Sequence, residues 1–178
     1  MSKKVLILSG SPRKQGNSDL LCEEFLRGAK EAGQQVEKIF LGEQTIGYCS
    51  GCGACYTTHT CMQNDDMADL LAKMVAADVI VMATPVYFYT MDAQLKTLID
   101  RTAARYEEIT DKEFYFIVSA ADSSVAAMER TIDGFRGFLD CLNGAKEKGV
   151  VYGVGAWQKG DIVGTKAMEE AYAMGKKV

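Results

Sequence analysis

The sequence predicts a single three-layer α/β domain over residues 1–178: a doubly wound, five-stranded parallel sheet of order 2-1-3-4-5 with helices on both faces. Three observations predict it. Short, wholly apolar runs recur along the chain, as strands buried on both faces require. Segments with apolar residues at helical spacing separate those runs. No internal repeat, low-complexity tract or Pro/Gly/Ser-rich linker divides the 178 residues, a length that closes one core.

Residues 4–9, KVLILS, are apolar up to Gly10 and form the first strand. The first helix is DLLCEEFLRGAKEAG, where Leu21, Cys22, Phe25, Leu26, Ala29 and Ala32 share one stripe and Gly33 supplies the stop. QVEKIFL is the second strand. After a cysteine-bearing loop comes a helix with Met67, Leu70, Leu71, Met74 and Val75 on one face. The third strand, DVIVMAT, ends at Pro85, and the helix MDAQLKTLIDR then turns Met91, Leu95, Leu98 and Ile99 inward. EFYFIVSA and GVVYGVGA are the fourth and fifth strands. Between them Met128, Ile132, Phe135, Leu139 and Leu142 mark a long helix, and KAMEEAYAMGKK is the last one. Right-handed crossovers lay a helix over each strand pair, so both sheet faces are covered. In this strand order a ligand crevice opens where the first and third strands end, around residues 10–18 and 85–90.

Composition excludes several function classes. Hydrophobic residues at 48% and charged residues at 25% leave no room for a long disordered tail. A net charge of −4 and no Lys/Arg cluster argue against a nucleic-acid surface. The apolar run in MSKKVLILSGSPRK is too short for a signal-peptide core or a membrane span, so the expected location is the cytoplasm.

SGSPRKQGNS joins a buried strand to a helix N-terminus, where free N–H groups and the helix dipole favour an anion. Ser11 and Ser18 offer hydroxyls, Asn17 an amide and Arg13 a fixed charge, the makings of a phosphate cradle. Gly16-Asn17-Ser18 is not the Gly-Lys-Ser/Thr of a Walker loop, and no GxGxxG is present, so neither an ATP nor a Rossmann NAD site is expected. After the third strand, Pro85, Val86, Tyr87, Phe88 and Tyr89 offer aromatic and backbone surface to a flat ring. SAADSS, with Ala121 and Asp122, either edges the same pocket or caps the next helix.

Four of the six cysteines stand in CSGCGACYTTHTC as C-x2-C-x2-C-x5-C. In a reducing compartment such spacing points to metal or redox chemistry. The set suits a cubane iron-sulfur cluster, cluster-free thiols or a disulfide, or structural zinc. His59 in this loop reads as solvated, Cys22 as a small core residue, Cys141 as without a role, and the methionines as packing.

SGSPRKQGNS, ATPVYFYTMDAQLKTLIDR and the cysteine loop followed by DDM together resemble the NAD(P)H-dependent FMN reductase group of flavodoxin-like proteins, especially its iron-sulfur flavoproteins. The resemblance covers essentially the whole chain. It implies that Ser9, Ser11, Arg13, Asn17 and Ser18 hold the FMN phosphate, and that Pro85, Val86, Tyr87 and Phe88 hold the isoalloxazine. It makes Cys49, Cys52, Cys55 and Cys61 the ligands of one [4Fe-4S] cluster that takes electrons from FMN. It further implies NAD(P)H as a transient co-substrate, a small-molecule or redox-protein acceptor, and a homodimer or homotetramer. The alternatives are a non-enzymatic, flavodoxin-like electron carrier and a thiol or cluster redox sensor.

Overall fold

The computed structural model describes residues 2–178. Its elements are β1 (Lys4–Ser9), α1 (Asn17–Glu31), β2 (Gln35–Phe40), the single turn α2 (Cys55–Thr58), α3 (Met67–Ala76), β3 (Val79–Tyr87), β4 (Thr90–Met91), α4 (Ala93–Arg101), β5 (Glu113–Ser119), α5 (Glu129–Leu139), β6 (Lys146–Gly153) and α6 (Lys166–Gly175). The sheet order is β2-β1-β3-β5-β6, all parallel, with β4 added antiparallel to the end of β3. Setting aside that two-residue strand, this is the flavodoxin-like 2-1-3-4-5 order.

Strand alternation sorts the core into two halves. Leu6, Leu8, Ile80, Met82, Phe114 and Phe116 pack with α3, α4 and α5 on one face. Val5, Ile7, Val79, Val81, Tyr115 and Ile117 pack with α1 and α6 on the other. Each fully buried Leu, Ile or Phe contributes about 1.5–3 kcal/mol, which is why the apolar runs become central strands. Helices α1 and α6 meet backbone to backbone: a Cβ on Gly28 would stand 2.2 Å from the Tyr172 carbonyl oxygen, and one on Gly175 would stand 2.1 Å from that of Phe25.

The structure departs from the sequence expectation in four local ways, one of which moves the last strand from residues 149–156 to Lys146–Gly153. The third strand runs on past Pro85 to Tyr87 and folds back through a two-residue hairpin, so Met91 belongs to β4 rather than to the following helix. That helix starts after Asp92, whose carboxylate caps it by accepting from the Leu95 N–H at 3.0 Å. The long helix of residues 128–142 is regular only over Glu129–Leu139. The order in which strands are added to the sheet reverses about the parallel β1–β3 pair, and there the Gly10 N–H donates to the Ala83 carbonyl at 2.8 Å. That is the switch point where doubly wound sheets open a crevice.

Candidate functional site

A cavity of about 580 Å³ opens at this switch point, between the loops that follow β1, β3, β5 and β6. Ser11, Arg13, Asn17 and Ser18 line it from the first loop, Pro85 to Phe88 from the second, and Ala121 from the third. The structure therefore gathers nine of the eleven residues expected to hold the cofactor.

Two of them lie elsewhere. Ser9 is buried at the end of β1 and donates to the Asp19 carboxylate at 3.0 Å. It supports the loop from beneath. Asp122 turns away from the cavity and accepts from the Ser124 N–H at 2.7 Å, so it serves the turn into the next helix, the other role its sequence allowed.

The first loop is held by its own groups. The Ser11 hydroxyl bridges the backbone N–H and carbonyl of Arg13, both at 3.1 Å. Gln15 sits in the left-handed region, φ 57°, and its N–H donates to Asp19 at 2.8 Å. Asp19 is buried, and Lys38 at 2.7 Å balances its charge. A carboxylate so near an anion site is thereby neutralised.

What remains unpaired identifies the ligand chemistry. No side chain caps α1 at Gly16, so the N–H groups of its first turn face the cavity mouth uncapped. Ser18 Oγ, on a residue 1% exposed, has no hydrogen-bond partner among the described residues. The Arg13 side chain is exposed and in no ion pair among them. An orphaned buried hydroxyl beside a helix N-terminus and a free guanidinium fits a phosphate monoester.

The second loop offers flat surface at a cost in backbone energy. Phe88 and Tyr89 have φ of 50° and 64°, the pair of positive angles of a type I′ turn that Asn-Gly normally fills. Left-handed geometry costs a side-chain-bearing residue about 1–2 kcal/mol. The turn is secured by α5, whose Thr131 hydroxyl donates to the Tyr89 carbonyl at 3.4 Å and whose Arg130 guanidinium lies 5.5 Å from the Tyr89 ring. Phe88 is left fully exposed. Beneath the first loop, Asp92 is buried with Oδ2 unpartnered, and burial pushes its carboxyl up to about 6.

The fourth loop was not anticipated. Ala156, Trp157, Gln158 and Lys159 line the cavity, and Trp157, the only tryptophan, is 71% exposed. The signal was present: a tryptophan directly after the last strand, at the same sheet edge as the other loops.

The cysteine loop is a separate structure, since none of its cysteines lines the cavity. Cys49 and Cys52 are exposed, Cys55 and Cys61 half-buried against the core, and all six cysteines are free thiols. Gly51 and Gly53, at φ 66° and 73°, supply the turns. The Ala54 backbone N–H, then the Ser50 side chain, holds the Cys52 thiol below its ordinary value. Among the described residues no three His, Cys, Asp or Glu side chains converge as a metal site. The donors fit a cluster in type and number, and the thiols would have to close together as metal binds.

The neck of this loop is already closed. Arg101, at the end of α4 with its side chain 1% exposed, donates to Asp65 through both terminal nitrogens at 2.7 and 3.0 Å, and to the Gly47 carbonyl at 2.6 Å. The two flanks of the cysteines thus meet on one guanidinium. Cys22, by contrast, is buried, and desolvation drives its thiol pKa far up, as befits a core residue.

A doubly wound sheet with a crevice at its switch point, lined by an uncapped helix start and by aromatic side chains, defines the flavodoxin-like class of fold. Residues 3–148 match the model of the NADPH-dependent FMN reductase family, and the chain belongs to that family. An iron-sulfur flavoprotein of Archaeoglobus fulgidus is 39% identical over 98 residues, 55% of this chain and 44% of that protein. Another from the same organism is 29% identical over 177 residues, 94% of this chain and 89% of that one. The chain spans about half the length of the curated relatives it matches at 39–42% identity, 44–52% of each. The solved NAD(P)H:quinone oxidoreductase from Methanothermobacter marburgensis shares the fold, with a TM-score of 0.76 over 99% of this chain and 97% of that one at 17% identity.

Proposed function

We propose that this chain is an FMN-dependent oxidoreductase that takes reducing equivalents from NAD(P)H or a reduced carrier and passes them to a small-molecule or protein acceptor. The observation that carries the reading is the unpartnered Ser18 hydroxyl, buried at the uncapped start of α1 within the 580 Å³ cavity. Ser18, the first-turn N–H groups of α1 and Arg13 would hold the phosphate. Pro85 to Phe88 would lie along the ring, and Ala121 would close the β5 side. FMN, when bound, supplies hydride acceptance and both one- and two-electron release. The protein's part is to bind, orient and desolvate. No side-chain acid or base is required of it, and the Ser11 and Asp19 hydrogen bonds keep the first loop in shape before the cofactor arrives.

The finer reading gives Cys49, Cys52, Cys55 and Cys61 to one [4Fe-4S] cluster, supported by four free thiols in one loop and by the iron-sulfur flavoproteins among the relatives. The fully exposed Phe88 at the cavity mouth supports a homodimer or homotetramer closed over this face. Six free thiols suit the reducing cytoplasm. Among the described residues no helix is long and apolar enough to cross a membrane. Protein purified without oxygen and mixed with NADPH or NADH should lose its visible flavin absorbance. Persistent colour would remove the nicotinamide step, and iron and sulfide contents near zero would remove the cluster.

A further inference from the structure

We propose that the Asn17 side chain is a positioning group and not a phosphate ligand: it locks the loop after β6 onto the start of α1, so that Trp157 stands as a fixed wall over the part of the cofactor other than its phosphate. The proposal rests on FMN occupying the cavity.

An asparagine side chain has two N–H donors and two acceptor lone pairs. All four are engaged by one segment. Asn17 Nδ2 donates to the carbonyls of Ala156 at 3.2 Å and Gln158 at 2.8 Å. Its Oδ1 accepts from the N–H groups of Gly160 at 3.0 Å and Ile162 at 3.4 Å. The side chain has nothing left to offer a phosphate oxygen, although the residue lines the cavity beside the expected phosphate position. The segment is also tied on its other side: the Gly155 N–H donates to the Asp122 carbonyl at 2.8 Å, and the Ala156 N–H to that of Ala120 at 2.7 Å. Within it, Gln158 N–H bonds the Asp161 carboxylate at 2.5 Å, and Ile162 is buried in the core below.

Trp157 therefore projects from a backbone fixed on both sides, yet its indole lines the cavity and is 71% exposed. Ordering a loop this firmly around an exposed indole makes sense if the ring has a flat surface to cover. Asn17 joins that wall to the phosphate loop, making one rigid cradle from the two ends of the chain.

Comparing FMN with riboflavin, which lacks the phosphate, separates the two roles. In flavin-stripped full-length protein, W157A should weaken FMN and riboflavin alike, about tenfold each, and W157F should restore most of the loss. N17A should weaken both by a similar factor, and N17A/W157A should bind no more weakly than W157A, because Asn17 acts through Trp157. S18A should weaken FMN alone. As the only tryptophan, Trp157 also reports without any flavin: its fluorescence anisotropy should fall in N17A while the far-ultraviolet circular dichroism is kept. An N17A variant that loses FMN affinity but keeps that for riboflavin would restore the phosphate-ligand role and overturn the proposal. Unchanged anisotropy in N17A, or unchanged flavin affinity in W157A, overturns it too. Should N17A fail to fold, N17S, whose shorter side chain cannot make all four bonds to the loop after β6, is read by the same two flavins and the same anisotropy. Wild-type protein that binds neither flavin would instead strike down the FMN reading itself.

Discussion

Replacing Asp65 by Asn tests how the cysteine loop is anchored. Asp65 accepts both arms of the buried Arg101 fork and also the N–H groups of Gly47 and Met67, at 3.0 and 3.1 Å. The Arg101 guanidinium, aided by those two N–H groups and opposed by burial, holds the carboxyl at about 2 against an ordinary 3.8. Folding therefore favours the ionised form. The stabilisation is complete above the unfolded pKa and is lost as pH falls from about 4 through 2, and at 1.36 kcal/mol per unit it amounts to about 2 kcal/mol. Asp65→Asn costs more than that at pH 7, about 3–5 kcal/mol, because it strands a buried guanidinium. Urea unfolding at pH 7 measures the total, and repeating it from pH 5 to 2 should narrow the gap between wild type and variant by about 2 kcal/mol. Amide exchange across residues 47–65 should quicken in the variant, since the Asp65 bonds join the two flanks. A variant within about 0.5 kcal/mol of wild type at pH 7, with unchanged exchange in this segment, would show that the ion pair does not hold the neck.

Ser18→Ala should leave the flavin-free protein as stable or slightly more so, since it deletes an unsatisfied buried hydroxyl, while weakening FMN by about 2 kcal/mol, roughly thirtyfold; isothermal titration reads the second and thermal melting the first. Asp92 has the opposite pH slope to Asp65: its folded pKa of about 6 lies above the ordinary 3.8, so wild-type stability should fall by about 2 kcal/mol as pH rises from 4 to 6. Asp92→Asn keeps the helix cap and should flatten that interval, and denaturant midpoints at pH 4 and 7 that fall equally in both proteins would refute it. Gly28→Ala drives a Cβ into the Tyr172 carbonyl of α6 and should cost roughly 3 kcal/mol or more in urea unfolding, whereas Gly137→Ala, with open space around its Cβ, should not.

The sheet was legible because its central strands are buried on both faces, and such strands have to be apolar throughout. Val79 to Ala83 and Phe114 to Val118 carry no polar residue to blur the signal. The hairpin of β3 and β4 escaped for the converse reason. Phe88-Tyr89 is not a turn sequence, and the β3–β4 pairing with contacts from Thr131 and Arg130 holds it in left-handed geometry. The loop after β1 was legible as part of the cavity from its residue types, but not the hydrogen bonds within it. Ser9 and Asn17 look alike by composition, and only the structure shows the one side chain bonded to Asp19 and the other to the loop after β6. Trp157 was legible as following the last strand, not as lining the cavity. The loop after β6 is brought there by its bonds to Asn17, Ala120 and Asp122, which no local sequence pattern announces.

Helix α4 joins the two candidate sites, and its charges explain why they can be perturbed separately. At its start Asp92 lies against the first loop, where a Cβ on Gly10 would come within 2.7 Å of Oδ1. At its end Arg101 holds the neck of the cysteine loop. The nine residues of α4 at 1.5 Å each put about 14 Å between these ends. The two ends share no hydrogen-bond partner, Asp92 bonding Thr84 and Leu95 and Arg101 bonding Gly47 and Asp65, so removing the bonds at one end removes none at the other. Loss of the Arg101 fork should therefore loosen residues 47–65 while leaving the affinity for FMN intact, and a titration of R101K with FMN that shows more than a twofold change would mean the two sites share more than a rod.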